Sequence, residues 1–143
     1  MMKVYIFTDG ACSGNPGRGG WCAILKAAGA EKTVSGSEEL TTNNRMELSA
    51  VIGGLRALKR ECEVEVYSDS KYICSAFNEG WLSTWRKNGW RKSDKKPVAN
   101  RDLWEELDEL VSKHTVSFHW IKGHAGHPEN ERCDSIAASL AAS

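Results

Sequence analysis

The chain has 143 residues, 41% hydrophobic and 27% charged, which excludes a disordered chain and suits one domain, residues 1–143, around one core. No apolar run approaches the length of a membrane span, and residues 4–7 are too short for a signal-peptide core, so a cytoplasmic monomer with no membrane partner is expected. The 19 basic and 19 acidic residues cancel, yet residues 81–101 hold seven Lys/Arg against Asp94 alone, +6 facing −6 elsewhere, and such polarity guides the choice of partner more than the zero sum does.

Residues 3–7 are rich in β-formers and read as a buried strand. The turn cluster at residues 14–20 leads to a second strand at 21–25. Gly29 marks another turn before a short polar strand at 31–37, which suggests an antiparallel meander. Leu48, Val51, Leu55 and Leu58 then recur at helical spacing, with Thr41 or Thr42 as cap. Residues 63–67 alternate polar and apolar, as a strand does. Ile73, Ala76, Phe77 and Trp81 mark a helix weakened at Gly80 and stopped by Asn88-Gly89. Asn100 is placed to cap a helix bearing Leu103, Trp104, Leu107, Leu110 and Val111. A fifth strand spans 116–121, and Pro128 opens a last helix. The order β-β-β-α-β-α-α-α-β-α implies a mixed α/β sheet with helices against its faces. The five cysteines are widely spaced and form no C-x-x-C pair, so reduced thiols are expected.

Four acids stand apart from those on the wet faces of helices. Asp9 follows the first strand, Asp69 ends the fourth, and Glu47 and Asp134 lie in the opening turns of helices. Each has an ordinary role available. Asp9-Gly10 is a hairpin signal, Asp69 can cap a helix, and Glu47 and Asp134 suit the positive end of a helix dipole. Spacing alone does not bring them together. If they meet, their mutual repulsion calls for cations, and an all-oxygen set suits magnesium. No Cys/His set with zinc spacing competes.

Five stretches carry a resemblance. They are residues 8–17 (Thr-Asp-Gly-Ala-Cys-Ser-Gly-Asn-Pro-Gly), 42–48 (Thr-Asn-Asn-Arg-Met-Glu-Leu), 67–70 (Tyr-Ser-Asp-Ser), 95–104 and 122–134. In their content and order the chain resembles type 1 ribonuclease H, the bacterial ribonuclease HI family. The resemblance implies a five-stranded mixed sheet in order 3-2-1-4-5 with helices on both faces. It implies an endonuclease that hydrolyses the RNA strand of RNA–DNA hybrids, leaving 5′-phosphate and 3′-hydroxyl ends. Asp9, Glu47, Asp69 and Asp134 would hold two Mg²⁺ ions in the presence of substrate, with Mn²⁺ as a substitute. One ion would activate water and the other stabilise the leaving oxygen. Attack by water removes the need for a nucleophilic Ser or Cys. His124, in a Gly-rich loop, would help transfer a proton and release product.

The same resemblance assigns substrate contacts to Cys12, Asn15, Asn43 and Asn44, beside two of the acids and suited to reading 2′-hydroxyls in a minor groove. Residues 81–101 match the family's basic protrusion. Lys87, Arg91, Lys95 and Lys96 would hold the DNA strand's backbone, with Trp81 and Trp85 offering flat apolar surface to the substrate, although these two, four apart, read mostly as packing a helix's inner face. His119 and His127 read as structural. Two residues depart from the family pattern: Lys71 replaces a glutamine that often touches substrate, and Cys22 a frequent glycine. Competing readings are a resolvase or transposase core, an inactive hybrid-binding module, and a metal-free hydrolase with a carboxylate pair.

Overall fold

The computed structural model describes residues 1–123 and 127–143. Among these, ten elements run in the expected order: β1 (Met2–Ser13), β2 (Gly17–Ala27), β3 (Ala30–Thr41), α1 (Asn43–Arg56), β4 (Cys62–Ser68), α2 (Lys71–Asn78), α3 (Trp81–Lys87), α4 (Arg101–Ser112), β5 (Thr115–Trp120) and α5 (Pro128–Ala142). The strands form one sheet in order β3-β2-β1-β4-β5. β1–β2 and β2–β3 pair antiparallel, while β1–β4 and β4–β5 pair parallel. The expected mixed α/β architecture is therefore present.

Alternation along the strands sorts side chains between the two faces of the sheet. Ile6, Ala23, Val64 and Val66 point to one side, where they join Leu48, Val51 and Leu55 of α1, Ile73 of α2, and Trp104 and Leu107 of α4. Phe7, Cys22 and Ile24 point to the other and meet Cys133 of α5. Trp104 is fully buried and its indole N–H donates to the Tyr72 hydroxyl at 2.8 Å, so the large ring is placed without stranding its polar atom. All five cysteines are free thiols.

The first three strands are longer than the sequence suggests. β1 runs on through Asp9 to Ser13 because those residues pair with Arg18–Cys22 of β2. Asp9-Gly10 is thus mid-strand and not a turn; the chain reverses at Gly14-Asn15-Pro16, where Gly14 takes a φ of 81°. β3 reaches Thr41 along a mostly exposed, charged edge, the kind of edge that discourages pairing with other chains. Leu58 lies beyond the end of α1 and still packs against the core. Two side-chain caps settle helix starts. Thr42 accepts from Arg45 N at 3.3 Å. Ser70, rather than Asp69, caps α2 by accepting from Ile73 N at 3.3 Å. Asn100 sits at the start of α4 but in a left-handed conformation with no side-chain cap; its Oδ1 accepts instead from Arg45 Nη1 at 3.4 Å. The helix after Asp69 breaks at Gly80, whose φ is 76°.

Candidate active site

In open sheets with parallel strands, sites form beyond the carboxyl ends of the strands, and here β1 and β4 are adjacent and parallel. Their ladder ends at the Phe7–Tyr67 pair. Asp9 lies two residues further along β1, and Asp69 follows the last residue of β4. α1 crosses β1 at Gly10, so closely that a β-carbon there would stand 2.5 Å from the backbone N of Glu47. Only a glycine admits that approach, and it places the Glu47 carboxylate beside Asp9.

Asp9, Glu47 and Asp69 thereby each offer a carboxylate oxygen within 4.8 Å of the others. Asp9 and Glu47 are only 3% and 6% exposed. Burial raises the Asp9 carboxyl from its ordinary 3.8 to about 8, with repulsion from Asp69 and contact with Asp134 adding to it. Burial also holds Glu47 well above the usual carboxylate range, reinforced by Asp9 and Asp69. Like charges this close cannot all remain ionised in a poorly solvated place. The cluster must carry protons or a cation. The buried Oε1 of Glu47 has no hydrogen-bond partner among the described residues, an acceptor shaped for a ligand the protein itself does not supply. The donor set is all oxygen, which fits a hard divalent cation such as Mg²⁺.

Asp134 stands outside the trio, on the exposed side of α5, but close enough to hydrogen-bond Asp9. No helix cap or hairpin accounts for Asp9 or Asp69, so the ordinary roles considered for those two are excluded by the coordinates. The nearby hydroxyls are engaged. Ser68 Oγ accepts from Ser70 N at 3.0 Å, Ser70 caps α2, and Thr8 Oγ1 donates to the Tyr67 carbonyl at 3.5 Å. The Cys74 thiol is pushed up to about 11 by burial and by Glu47 and Asp69, which makes it a poor nucleophile at neutral pH.

The short polar residues form a second feature. Asn15 Oδ1 accepts from Asn43 N at 3.0 Å, tying the β1–β2 turn to the start of α1. Cys12 Sγ donates to the carbonyls of Thr41 and Gly17, at 3.4 and 3.5 Å. Asn15, Thr42, Asn43, Asn44 and Asn100 line an open polar pocket of about 390 Å³. The sequence suggests only a capping role for Asn100, and the structure adds this one. The residue is held by Arg45, which also grips Asp102 through two hydrogen bonds of 2.7 and 3.0 Å.

Lys87, Arg91, Lys95 and Lys96 are all exposed. The loop that carries three of them is braced by backbone bonds from Lys92 N to Lys96 O at 2.8 Å and from Val98 N to Trp90 O at 3.0 Å. Trp85 packs edge-on against Trp104, ring centroids 5.3 Å apart, while Trp81 remains 36% exposed. Of the two tryptophans, only Trp81 offers substantial free surface. His124 lies outside the described residues. His119 is held by Glu65, its Nε2 2.5 Å from Oε1, and stacks on Tyr67; His127 precedes α5 and tilts against the same ring.

Asn130, which sequence reasoning passed over, is fully buried. Its Nδ2 donates to the carbonyls of both Thr8 and Tyr67 at 3.2 Å. Its position four residues before Asp134 was the available signal.

The sequence matches the RNase H family over residues 1–142. It is 57% identical to a ribonuclease H of Nitratidesulfovibrio vulgaris strain Miyazaki F, covering 100% of this chain and 92% of that protein. It is 59% identical to a ribonuclease H of Thermus thermophilus, covering 99% and 85%. Among solved structures, LC9-RNase H1, described as a type 1 RNase H with the type 2 active-site motif, superposes with a TM-score of 0.87 at 33% identity, over 99% of this chain and 73% of that one. LC11-RNase H1, solved in complex with an RNA/DNA hybrid, shares the fold with a TM-score of 0.72 at 23% identity, over 95% and 94%.

Proposed function

We infer the chemistry from kinship and geometry together: this chain belongs to the ribonuclease H family and is a hydrolase of that family. We propose that it cleaves the RNA strand of RNA–DNA hybrids internally, leaving 5′-phosphate and 3′-hydroxyl ends. The observation that carries the reading is the convergence of Asp9, Glu47 and Asp69 from three separate elements. Asp9, Glu47, Asp69 and Asp134 would hold two Mg²⁺ ions with substrate, Mn²⁺ serving as a substitute. Bound divalent ions supply charge neutralisation and polarisation at a phosphodiester.

The chain's own groups do the rest. The carboxylates must lose their protons before they can serve as ligands, and the approach of a cation favours that loss. With hydroxyls engaged and the Cys74 thiol held neutral, no side chain among the described residues of the site is offered as nucleophile, which leaves water. The amides of Asn15, Asn43 and Asn44, with Cys12, would contact the hybrid's minor groove, where 2′-hydroxyls mark the RNA strand. Lys87, Arg91, Lys95 and Lys96, with Trp81 and to a lesser degree Trp85, would hold the DNA strand's phosphates. His124 is proposed as the residue that moves a proton at the cleaved end. Replacing it by Ala should lower kcat by about 10²-fold or more with hybrid binding nearly intact; unchanged kcat would remove it from the mechanism. The same reading makes the protein a cytoplasmic monomer of one domain, in keeping with five free thiols.

The test is cleavage of a labelled hybrid, a duplex DNA and a single-stranded RNA side by side in Mg²⁺, then in EDTA. Only the RNA of the hybrid should be cut, and only with metal. Cutting of duplex DNA would favour a resolvase or transposase core, and activity in EDTA a carboxylate acid–base pair.

A further inference from the structure

Asn130 occupies a place where three carboxylate-bearing elements can be locked together. Beyond the Phe7–Tyr67 pair β1 and β4 no longer form a ladder, so the carbonyls of Thr8 and Tyr67 need donors from elsewhere. The Asn130 amide donates to both, at 3.2 Å each, and the Tyr67 carbonyl accepts in addition the long 3.5 Å bond from Thr8 Oγ1. Thr8 immediately precedes Asp9, Tyr67 lies two residues before Asp69, and Asn130 lies one helical turn before Asp134. The orientation of the amide is decided by its partners, since a flip would set Oδ1 against two carbonyl oxygens. Its Oδ1 is buried with no hydrogen-bond partner among the described residues. A side chain placed only for its own satisfaction would not leave an acceptor stranded in that way.

We propose that Asn130 is a positioning residue that sets the spacing of β1, β4 and α5, and through it the geometry in which Asp9, Asp69 and Asp134 meet a cation. The proposal rests on the functional reading above for its consequence in catalysis, but its effect on cation binding stands apart from any substrate. Letting the two strands drift moves all three carboxylates relative to one another at once. Glu47, delivered by α1, which rests on β1 at Gly10, keeps its place beside Asp9.

Asn130→Asp keeps the volume, Asn130→Leu keeps the branched outline, and each removes the amide donors. Ala137→Gly, at a fully buried site on the same helix, destabilises α5 without touching the bridge. Calorimetric titration with Mn²⁺ alone, well below every melting temperature, should show affinity roughly 10- to 100-fold weaker in the Asn130 variants and near the parent's in Ala137→Gly. In hybrid cleavage the same variants should lose kcat by a similar factor with KM unchanged. Parent-like Mn²⁺ affinity in the Asn130 variants, or an equal loss in Ala137→Gly, overturns the proposal. If the parent fails to cut hybrid but the Mn²⁺ pattern holds, the positioning role stands and the assigned activity falls. Should neither Asn130 variant fold, the side-chain amide protons of Asn130 in the parent decide. Exchange slowed by at least about 10²-fold supports the bridge, and free exchange with water overturns it.

Discussion

The acidic cluster and the basic segment at residues 81–101 carry opposite charge and are built in opposite ways. Asp9 sits in a paired strand, Glu47 inside a packed helix and Asp69 at a strand end, with Asp9 and Glu47 nearly inaccessible to solvent. The cations of residues 86–96 project from a seven-residue helix and a loop in which Trp90 and Lys95 adopt left-handed backbone, and every one of Lys87, Arg91, Lys95 and Lys96 is exposed. Burial makes the first region destabilising to hold and fixed in position. Exposure makes the second adaptable and easy to alter. Chemistry on a phosphodiester needs the former; grip on a flexible backbone needs only the latter.

The largest break in this contrast should come from Asp9→Asn. Turnover on hybrid should fall by about 10³-fold, while metal-free stability rises, because Asp9 must take up a proton or bury a charge on folding and an amide of equal size does neither. The pH dependence sharpens the point. A carboxyl raised to about 8 in the fold from an ordinary 3.8 binds its proton more tightly folded than unfolded. The stability it contributes is fully present near pH 4 and is lost as pH climbs through 8. In EDTA the melting temperature should therefore fall between pH 5 and 8, by the equivalent of about 2–5 kcal/mol. Mg²⁺ should reverse the fall and Asp9→Asn should flatten it. A flat profile in the parent would contradict the burial argument.

Next in size is Gly10→Ala. Its new β-carbon would press on the backbone of Met46 and Glu47 at 2.5 Å, so a loss of about 1–3 kcal/mol is expected by thermal denaturation, together with reduced turnover. Parent-like values in both would mean that α1 does not rest on β1 as described. Smallest in stability is the exchange of Lys87, Arg91, Lys95 and Lys96 for glutamine, within about 0.5 kcal/mol of the parent. Its signature is in binding: the log–log salt dependence of hybrid affinity should become shallower by about 0.9 for each phosphate no longer neutralised. An unaltered slope would detach this segment from the substrate.

Element order was legible because the core-facing residues are apolar at periods of two and 3.6, as in residues 63–67 and in Leu48, Val51 and Leu55; the strand order came from the resemblance to type 1 ribonuclease H. The ends of the strands were not legible. Glu38 and Ser13 belong to paired strands through backbone bonds that leave no mark in side-chain polarity. Asp9-Gly10 carries the letters of a turn, yet its glycine serves a close helix–strand approach, which is a long-range fact. Four acids could be singled out by position and tied together by resemblance, but the union of Asp9, Glu47 and Asp69 depends on β1, α1 and β4 meeting at one corner. Asn130 was missed for the complementary reason. A buried asparagine in an outer helix looks like surface until the two carbonyls it serves are known.

Cleavage of an end-labelled RNA–DNA hybrid by the parent and by Asp69→Asn, each with and without Mg²⁺, puts the acidic cluster to the most direct trial. The parent should release RNA fragments bearing 5′-phosphates in Mg²⁺ and none without it, and Asp69→Asn should release none in either. Fragments formed in the absence of metal, or by the variant at the parent's rate, would contradict the assignment of the cluster as the cation-holding centre.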